Sequence, residues 1–216
     1  MANIIQAPSL DSLSAYDVNR SGQVEAVKAS LYDFQSYATG GQTQLNFFQV
    51  PVGQSSKTLS DTNMETAGSL PAPKNFLVQG IEIHFFPNVL PGIIGSQVAS
   101  TFANDVWNVG TSGWLDFFIG SKSYLQEAPL MRFAPKNGLI VSAALAMTTA
   151  SGGAASGVEG ISYANWGGRP YDMNPPILLR PTQNFRVSLN WPTAVTVAGT
   201  SRIGVVLTGI LYRQSQ

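Results

Sequence analysis

The sequence predicts an all-β fold: an antiparallel β-sandwich, a jelly roll of about eight strands, with an N-terminal arm. Three observations lead to this prediction. Short apolar or alternating segments end at prolines and glycines, as strands do. Helical segments between the strands are missing, which disfavours a parallel sheet. Most sequential strands are separated by long loops rather than tight hairpins, which favours a Greek-key or jelly-roll sandwich over a meander.

The first forty residues are predicted to form the arm, and residues 41–216 a single domain. Residues 1–20 carry scattered apolar side chains without a period. In residues 21–38, four apolar side chains fall at helical spacing and allow a short helix. Aromatic and β-branched residues in the same stretch allow a strand instead. The sequence leaves both alternatives open.

The first half of the domain contains four predicted strands. In the longest, one face would carry Leu77, Ile81, Ile83 and Phe85, and the other Phe76, Val78, Glu82 and His84. Polar, turn-rich residues at 52–74 and 87–112 are predicted to be long connections. The four strands are expected at residues 43–50, Asn75–Phe86, 113–119 and 123–127.

The second half contains four more predicted strands, and the last is apolar on both faces. Ile203, Val205, Leu207 and Leu211 would lie on one face, and Val206, Ile210 and Tyr212 on the other. Because a solvated face of an antiparallel sheet is normally polar, we expect the second face to be covered by a neighbouring subunit. The strands are expected at residues 139–148, 175–180, 184–191 and 202–213, with a small-residue loop at 149–160.

Composition excludes several classes of function. Charged residues make up 11% of the chain against about 25% in a typical soluble domain, and the net charge is zero. A neutral chain does not neutralise nucleic acid as a whole. The absence of cysteine excludes thiolate metal sites, and a single histidine excludes His-rich zinc sites. No membrane span and no signal peptide are expected.

Two groups of residues are candidates for catalysis or binding. His84 lies two residues from Glu82 on the predicted strand, and an exposed strand residue, or one that pairs locally with Glu82, is favoured over a catalytic role. Asp116, between Trp114 and Phe118, resembles a sugar-binding arrangement of a carboxylate with aromatic rings. The alternative, which we favour, is an outward polar residue paired with Lys122.

Other candidates carry weaker signals. Asp61, Thr62, Asn63 and Glu65 offer clustered oxygens but lack the glycine and spacing of a calcium loop. The glycine-rich residues 152–157 lack a lysine and a strand-to-helix context, so a flexible loop is expected. The four tryptophans could line a ligand platform, although Trp191 alternates with core residues. Trp166 is expected either to pack over the sandwich end or to make a contact.

Charge is distributed unevenly along the chain. Residues 1–65 hold six acids and three bases, whereas residues 169–216 hold five arginines and one acid. Arginine suits interfacial ion pairs better than lysine. This pattern indicates either contacts between the arm and the C-terminal region of a neighbouring subunit or simple scatter. The candidate subunit-interface residues are Val206, Ile210, Tyr212, Arg186, Arg202, Arg213 and Trp166.

Three segments together carry a family resemblance: Asn75–Phe86 with the proline that ends it, residues 176–191, and residues 202–213. Their pattern resembles the single jelly-roll capsid proteins of icosahedral tailless bacteriophages. The resemblance implies a virion structural protein without enzymatic activity, cofactor or small-molecule substrate. Such a protein self-associates as trimers or larger capsomers into an icosahedral shell with other virion proteins. Residues 1–20 would then be the inward candidate for contact with an internal membrane or the genome.

Two other functions compete with this one. The first is a phage decoration or host-attachment domain with a glycan-binding, lectin-like sandwich, in which Asp116 with Trp114, or the loop around Trp166, would carry recognition. The second is a sandwich-fold glycoside hydrolase. That enzyme needs two carboxylates in one cleft, and the twelve acids of this chain are dispersed.

Overall fold

Antiparallel strands dominate the part of the chain that the computed structural model describes, residues 24–88, 98–133 and 170–214. Within these ranges there are eight strands, one α-helix (α1, Val98–Ser112) and one 3-10 helix (Leu130–Phe133). The strands are β1 (Val24–Tyr37), β2 (Gln44–Phe47), β3 (Asn75–Phe86), β4 (Trp114–Ile119), β5 (Lys122–Glu127), β6 (Tyr171–Leu179), β7 (Phe185–Asn190) and β8 (Ser201–Gln214).

The strands form two four-stranded sheets. The first sheet has the order β1-β8-β3-β6 and the second has the order β2-β7-β4-β5, and each neighbouring pair is antiparallel. Among these strands, only β4 and β5 are consecutive in the chain and adjacent in a sheet. The predicted antiparallel β-sandwich is therefore confirmed, and most strands that follow one another in the chain are not neighbours in a sheet.

The core lies between the sheets and is built by residues that alternate along each strand. The inward side chains of β4, β7 and β8 are almost completely buried, and each contributes roughly 1.5–3 kcal/mol to folding. The inward positions predicted for residues 184–191 are confirmed, including Trp191 in the core, while Ser188 and Asn190, predicted to face outward, are also buried. These inward residues are Leu115, Phe117, Ile119, Phe185, Val187, Leu189, Ile203, Val205 and Leu207.

The predicted faces of β3 are wrong for its first half. The strand runs over Asn75–Phe86 as predicted, but a β-bulge between Val78 and Gly80 shifts the register. One extra residue reverses the alternation. Phe76 and Val78 consequently join Ile81 in the core, while Leu77 faces outward.

The expected N-terminal arm has to be shortened, because its last part is a strand. β1 pairs with β8 over all of Val24–Tyr37, so these residues belong to the sheet and form no helix. The sequence was ambiguous because residues four apart, such as Val27 and Leu31, share a face in both a helix and a strand. Residues 1–23 lie outside the described residues.

The connection predicted at residues 87–112 contains helix α1, which the sequence analysis missed. Contacts distant in sequence fix the helix. The indole Nε1 of Trp191 donates to the carbonyl of Val109 at 3.0 Å, and the carboxylate of buried Asp105 accepts from the backbone N–H of Ala198 at 2.9 Å. Among the described helices, none has the length and hydrophobicity needed to cross a bilayer.

Two predicted segments and one candidate residue cannot be placed in this architecture. The strand at residues 139–148, the loop at residues 149–160 and Trp166 all lie outside the described residues.

Candidate interaction surfaces

The outer face of the first sheet carries three different regions along β8. A β-strand rises roughly 3.3 Å per residue, so Arg202 and Tyr212 of β8 lie about 33 Å apart on this face. An apolar cluster lies at the Tyr212 end, a cleft lies beside Thr208, and an aromatic cluster lies at the Arg202 end. The face is therefore not the uniform apolar stripe that the sequence predicted.

The apolar cluster consists of side chains that cover one another within a single chain. Leu77 and Tyr212 are buried, with 2% and 7% of their surface exposed. Leu178 and Ile210 pack against them and remain half-buried. The bulge in β3 makes this cluster, because it turns Leu77 outward. Tyr212 therefore needs no neighbouring subunit for its burial, in contrast to the expectation, whereas Ile210 and Val206 keep part of their surface exposed.

The aromatic cluster consists of Phe34 from β1 with His84 and Phe86 from β3. The three ring centroids lie 5.9–6.1 Å apart in each pair. Gly204 of β8 lies between the two strands, and a side chain there would overlap the Phe34 ring. The guanidinium of Arg202 lies 4.6 Å from the centroid of Phe34, a cation–π contact.

Exposed apolar groups continue this cluster into the neighbouring loop. Leu59 is 68% exposed and Phe86 is 42% exposed. The hydroxyl of Tyr32, whose ring lies 6.2 Å from Phe34, donates to the backbone carbonyl of Leu59 at 2.5 Å. Leu59 is thereby held beside the aromatic cluster.

The predicted local pair of Glu82 and His84 is present. His84 Nε2 lies 3.1 Å from Glu82 Oε2, and the carboxylate is buried. Burial lowers the pKa of His84 below its usual 6.5, although the carboxylate of Glu82 acts in the opposite direction. The imidazole is therefore neutral at neutral pH. Its surroundings are Phe34 and Phe86, which make this a packed pair.

A cleft of about 650 Å³ separates the two clusters. Gly80, beside the bulge in β3, is one of its lining residues, and a Cβ there would come within 2.7 Å of Thr208 Oγ1 and 2.8 Å of Pro170 Cβ. Lys28 and Asp172 bring one charge of each sign to the lining.

The arginines predicted to contact a neighbouring subunit have partners within the chain. Arg202 pairs with Asp61 at 3.0 Å, and Arg213 pairs with Glu25 at 2.8 Å. Two of the C-terminal arginines thus pair with acidic N-terminal residues inside one chain. Arg186 lies over Phe118, with its guanidinium 4.2 Å from the ring centroid.

The polar loop that was considered as a calcium site is hydrogen-bonded within itself and to β1. The carboxylate of Asp61 accepts from the backbone N–H and the hydroxyl of Thr58, both at 2.9 Å, and these bonds lower the pKa of Asp61. Asn63 exchanges hydrogen bonds with the backbone of Tyr32 and Ser30. Across residues 24–88, 98–133 and 170–214, no group of three or more acidic or histidine side chains could hold a metal ion.

The outer face of the second sheet carries rows of mostly polar side chains, of which Ser188 and Asn190 are buried. Its cross-strand register places Gln44, Asn190 and Trp114 in one row, and Asn46, Ser188, Asp116 and Gln126 in the next. Asp116 Oδ2 accepts from Trp114 Nε1 at 3.1 Å and from Asn190 Nδ2 at 2.9 Å, and Asn190 Oδ1 accepts from Gln44 Nε2 at 3.0 Å. Asp116 thus bonds to two residues of the neighbouring row, while Lys122, with which it was expected to pair, lies over the Tyr124 ring.

Sequence reasoning identified Asp116 and Trp114 but missed Asn190, Gln44 and Asn46 as their neighbours. The polar positions that alternate with core residues in β7 carried part of that signal. Pairing of β7 with both β2 and β4 is what brings the amides together.

Comparisons with known proteins add no relative. A search with protein-family models, a search of curated proteins and a search of solved structures each return no match to this chain.

Proposed function

We propose that this chain is a jelly-roll structural protein of a virion, which assembles with copies of itself into an icosahedral shell. The pairing of its strands supports the jelly roll. In that fold a long antiparallel ribbon winds up, so the first strand pairs with the last and each following pair lies one step inward. Here β1 pairs with β8, β2 with β7, β3 with β6 and β4 with β5. Jelly rolls occur in viral capsid proteins and in lectins.

Because a fold does not by itself fix a function, the proposal depends on a surface. The observation that carries it is the aromatic cluster with Leu59 on the outer face of an antiparallel sheet, a face that is normally polar. Leu59 and Phe86 expose large apolar side chains beside half-buried Phe34 and Val206. Contiguous exposed apolar groups of this kind mark interaction sites.

The composition of this surface fits a protein–protein interface. Aromatic residues and arginine are enriched at interface cores, whereas lysine and glutamate are depleted there. Tyr32, Phe34 and Phe86 with Arg202 meet this description, and Glu82 is buried beneath them. The low charge of the whole chain, 11%, also suits a protein surrounded by copies of itself. We therefore infer that a second copy covers the aromatic cluster.

Charged side chains placed on this surface test the proposal. The double variant Leu59→Lys, Phe86→Lys introduces two cations at exposed positions and should abolish oligomers. The matched control is Tyr124→Lys, which changes a 49% exposed aromatic residue on the other sheet and should leave assembly unchanged. Size-exclusion chromatography with light scattering and negative-stain microscopy of the concentrated protein report the oligomers. A wild-type protein that stays monomeric, or equal assembly of both variants, would contradict the proposal.

A further inference from the structure

Polar side chains on the outer face of the second sheet are hydrogen-bonded to one another. Side chains of β2, β7 and β4 in two adjacent rows are connected by hydrogen bonds, three of them across strands and one within β4. Asp116 receives two of these bonds on one oxygen, Oδ2, and the indole of Trp114 is held in place by one of them. Side chains that are fixed before a ligand arrives lose little conformational entropy when it binds.

Several polar groups of this face remain available to a ligand. Among the described residues, Asp116 Oδ1, Gln44 Oε1 and the amide of Gln126 make no hydrogen bond. Asp116 is half-exposed, and Gln44 and Gln126 are exposed. A carboxylate oxygen beside amide groups offers both acceptors and donors within two rows, which is the pattern that pairs of sugar hydroxyls require.

Aromatic rings flank these polar groups. Trp114 and Phe118 are half-buried, and Tyr124 on β5 is 49% exposed. The face of an aromatic ring carries partial negative charge and attracts polarised C–H groups, such as those on one side of a pyranose ring. A planar apolar contact beside directional polar groups distinguishes a carbohydrate site from a purely polar patch.

Charge on this face argues for a neutral ligand. Asp116 and Arg186 bring one charge of each sign to neighbouring rows, and the guanidinium of Arg186 is engaged over Phe118. The ammonium of Lys122 is likewise engaged, over the ring of Tyr124. A nucleic-acid site would need a cluster of basic side chains. An anionic sugar would meet the carboxylate of Asp116 at the centre of the site.

We propose that the outer face of the second sheet binds a neutral oligosaccharide across β4 and β5, whose side chains in these rows are exposed or half-exposed. A pyranose ring packs on Trp114, and its hydroxyls donate to Asp116 Oδ1 and bond to Gln126. This site is independent of the assembly surface, which lies on the opposite sheet. Assembly and sugar binding can therefore succeed or fail separately.

A glycan array tests this proposal directly. Fluorescently labelled full-length protein is applied to an array of neutral and sialylated oligosaccharides, and isothermal titration calorimetry with a retained neutral glycan gives its affinity. Trp114→Ala should lower that affinity about tenfold or more, the loss expected when a central aromatic contact is removed. Gln126→Ala changes an exposed side chain that makes no hydrogen bond among the described residues, so it should preserve the fold and lower the affinity several-fold.

The double variant Leu59→Lys, Phe86→Lys alters only the opposite sheet and should retain the affinity for each monomeric site. Retention of no neutral glycan, retention of sialylated glycans alone, or binding that survives both Trp114→Ala and Gln126→Ala would overturn the proposal.

Discussion

The ring of Phe34 occupies the space directly over Gly204, where any other residue would place its Cβ. A Cβ at position 204 would overlap Cδ1 and Cε1 of that ring. The two residues face each other across β1 and β8 in the sheet register. Arg202, His84 and Phe86 then pack around the ring. The absence of one side chain in β8 thus positions the aromatic cluster on the proposed assembly surface.

We expect Gly204→Ala to destabilise the protein by about 1–2 kcal/mol, because the added methyl group displaces Phe34. In a Phe34→Ala background the same change should cost nothing, since the space is free and alanine is preferred to glycine within a strand. Thermal or urea denaturation of the wild type, the two single variants and the double variant measures this coupling. Gly40→Ala, with no atom within 4 Å of its Cβ position, is the matched control. Equal costs in both backgrounds would disprove the steric coupling.

The only histidine of the chain allows its ionisation to be measured without overlap. We expect the imidazole protons of His84 to titrate by NMR with a midpoint below 6.5, because burial lowers the pKa. Glu82→Gln should lower the midpoint further, since the carboxylate of Glu82 acts to raise the pKa of His84. A wild-type midpoint at or above 6.5 would show that the Glu82 carboxylate outweighs burial.

The lowered pKa of His84 also predicts how stability depends on pH. Below 6.5 the unfolded chain binds a proton that the folded chain does not yet bind, so protonation favours the unfolded state. The free energy of unfolding should therefore be undiminished above pH 6.5 and decline as pH falls toward the folded-state pKa. His84→Gln should remove this decline, which urea titrations at several pH values would detect. An identical pH profile in both proteins would contradict the assignment to His84.

Asp33 is a buried charge whose partners come from two loops. Its carboxylate accepts from the backbone N–H of Phe48 at 2.6 Å and pairs with the ammonium of Lys57. We expect Asp33→Ala to cost about 3 kcal/mol in unfolding free energy, because both partners are left unpaired in the interior. Asp33→Asn keeps an acceptor for Phe48 and should cost less.

A surface ion pair provides the control for Asp33. Glu65, 56% exposed at its side chain, pairs with Lys74, and Glu65→Ala should cost less than about 1 kcal/mol. Urea denaturation compares the three variants.

Burial raises the pKa of Asp33 above 3.8, so the folded state holds the proton more tightly than the unfolded state just above that pH. Asp33 therefore does not contribute to acid unfolding in that window, and loss of Asp33 should not make the protein more resistant to acid.

Trp191 connects helix α1 to the sandwich through its indole N–H. Trp191→Phe keeps the aromatic packing but leaves the carbonyl of Val109 without this donor, which should cost about 1–3 kcal/mol. Amide hydrogen exchange should accelerate within α1 more than within β7. Trp107→Phe, on the same helix at a 61% exposed position, should change neither quantity. Unchanged exchange in Trp191→Phe would show that other contacts hold the helix.

Sequence periodicity alone determined the class of fold and the position of most strands. β3, β7 and β8 appear within two residues of their predicted limits, because alternation of apolar residues and flanking prolines are local signals. The composition also gave the low fraction of charged residues, 11%, which supports the proposed assembly. The candidate pair Asp116 and Trp114 could be selected because both residues lie two apart on one strand.

Only the tertiary structure decided which faces these strands present and which residues meet across them. The bulge at Val78–Gly80 reversed half of β3, because a single extra residue is invisible to a period-two pattern. Pairing of β1 with β8 turned an ambiguous segment into a strand and brought Glu25 to Arg213. Residues up to 188 positions apart become neighbours here. Local preferences are encoded residue by residue, whereas such contacts depend on which strands pair across the whole chain.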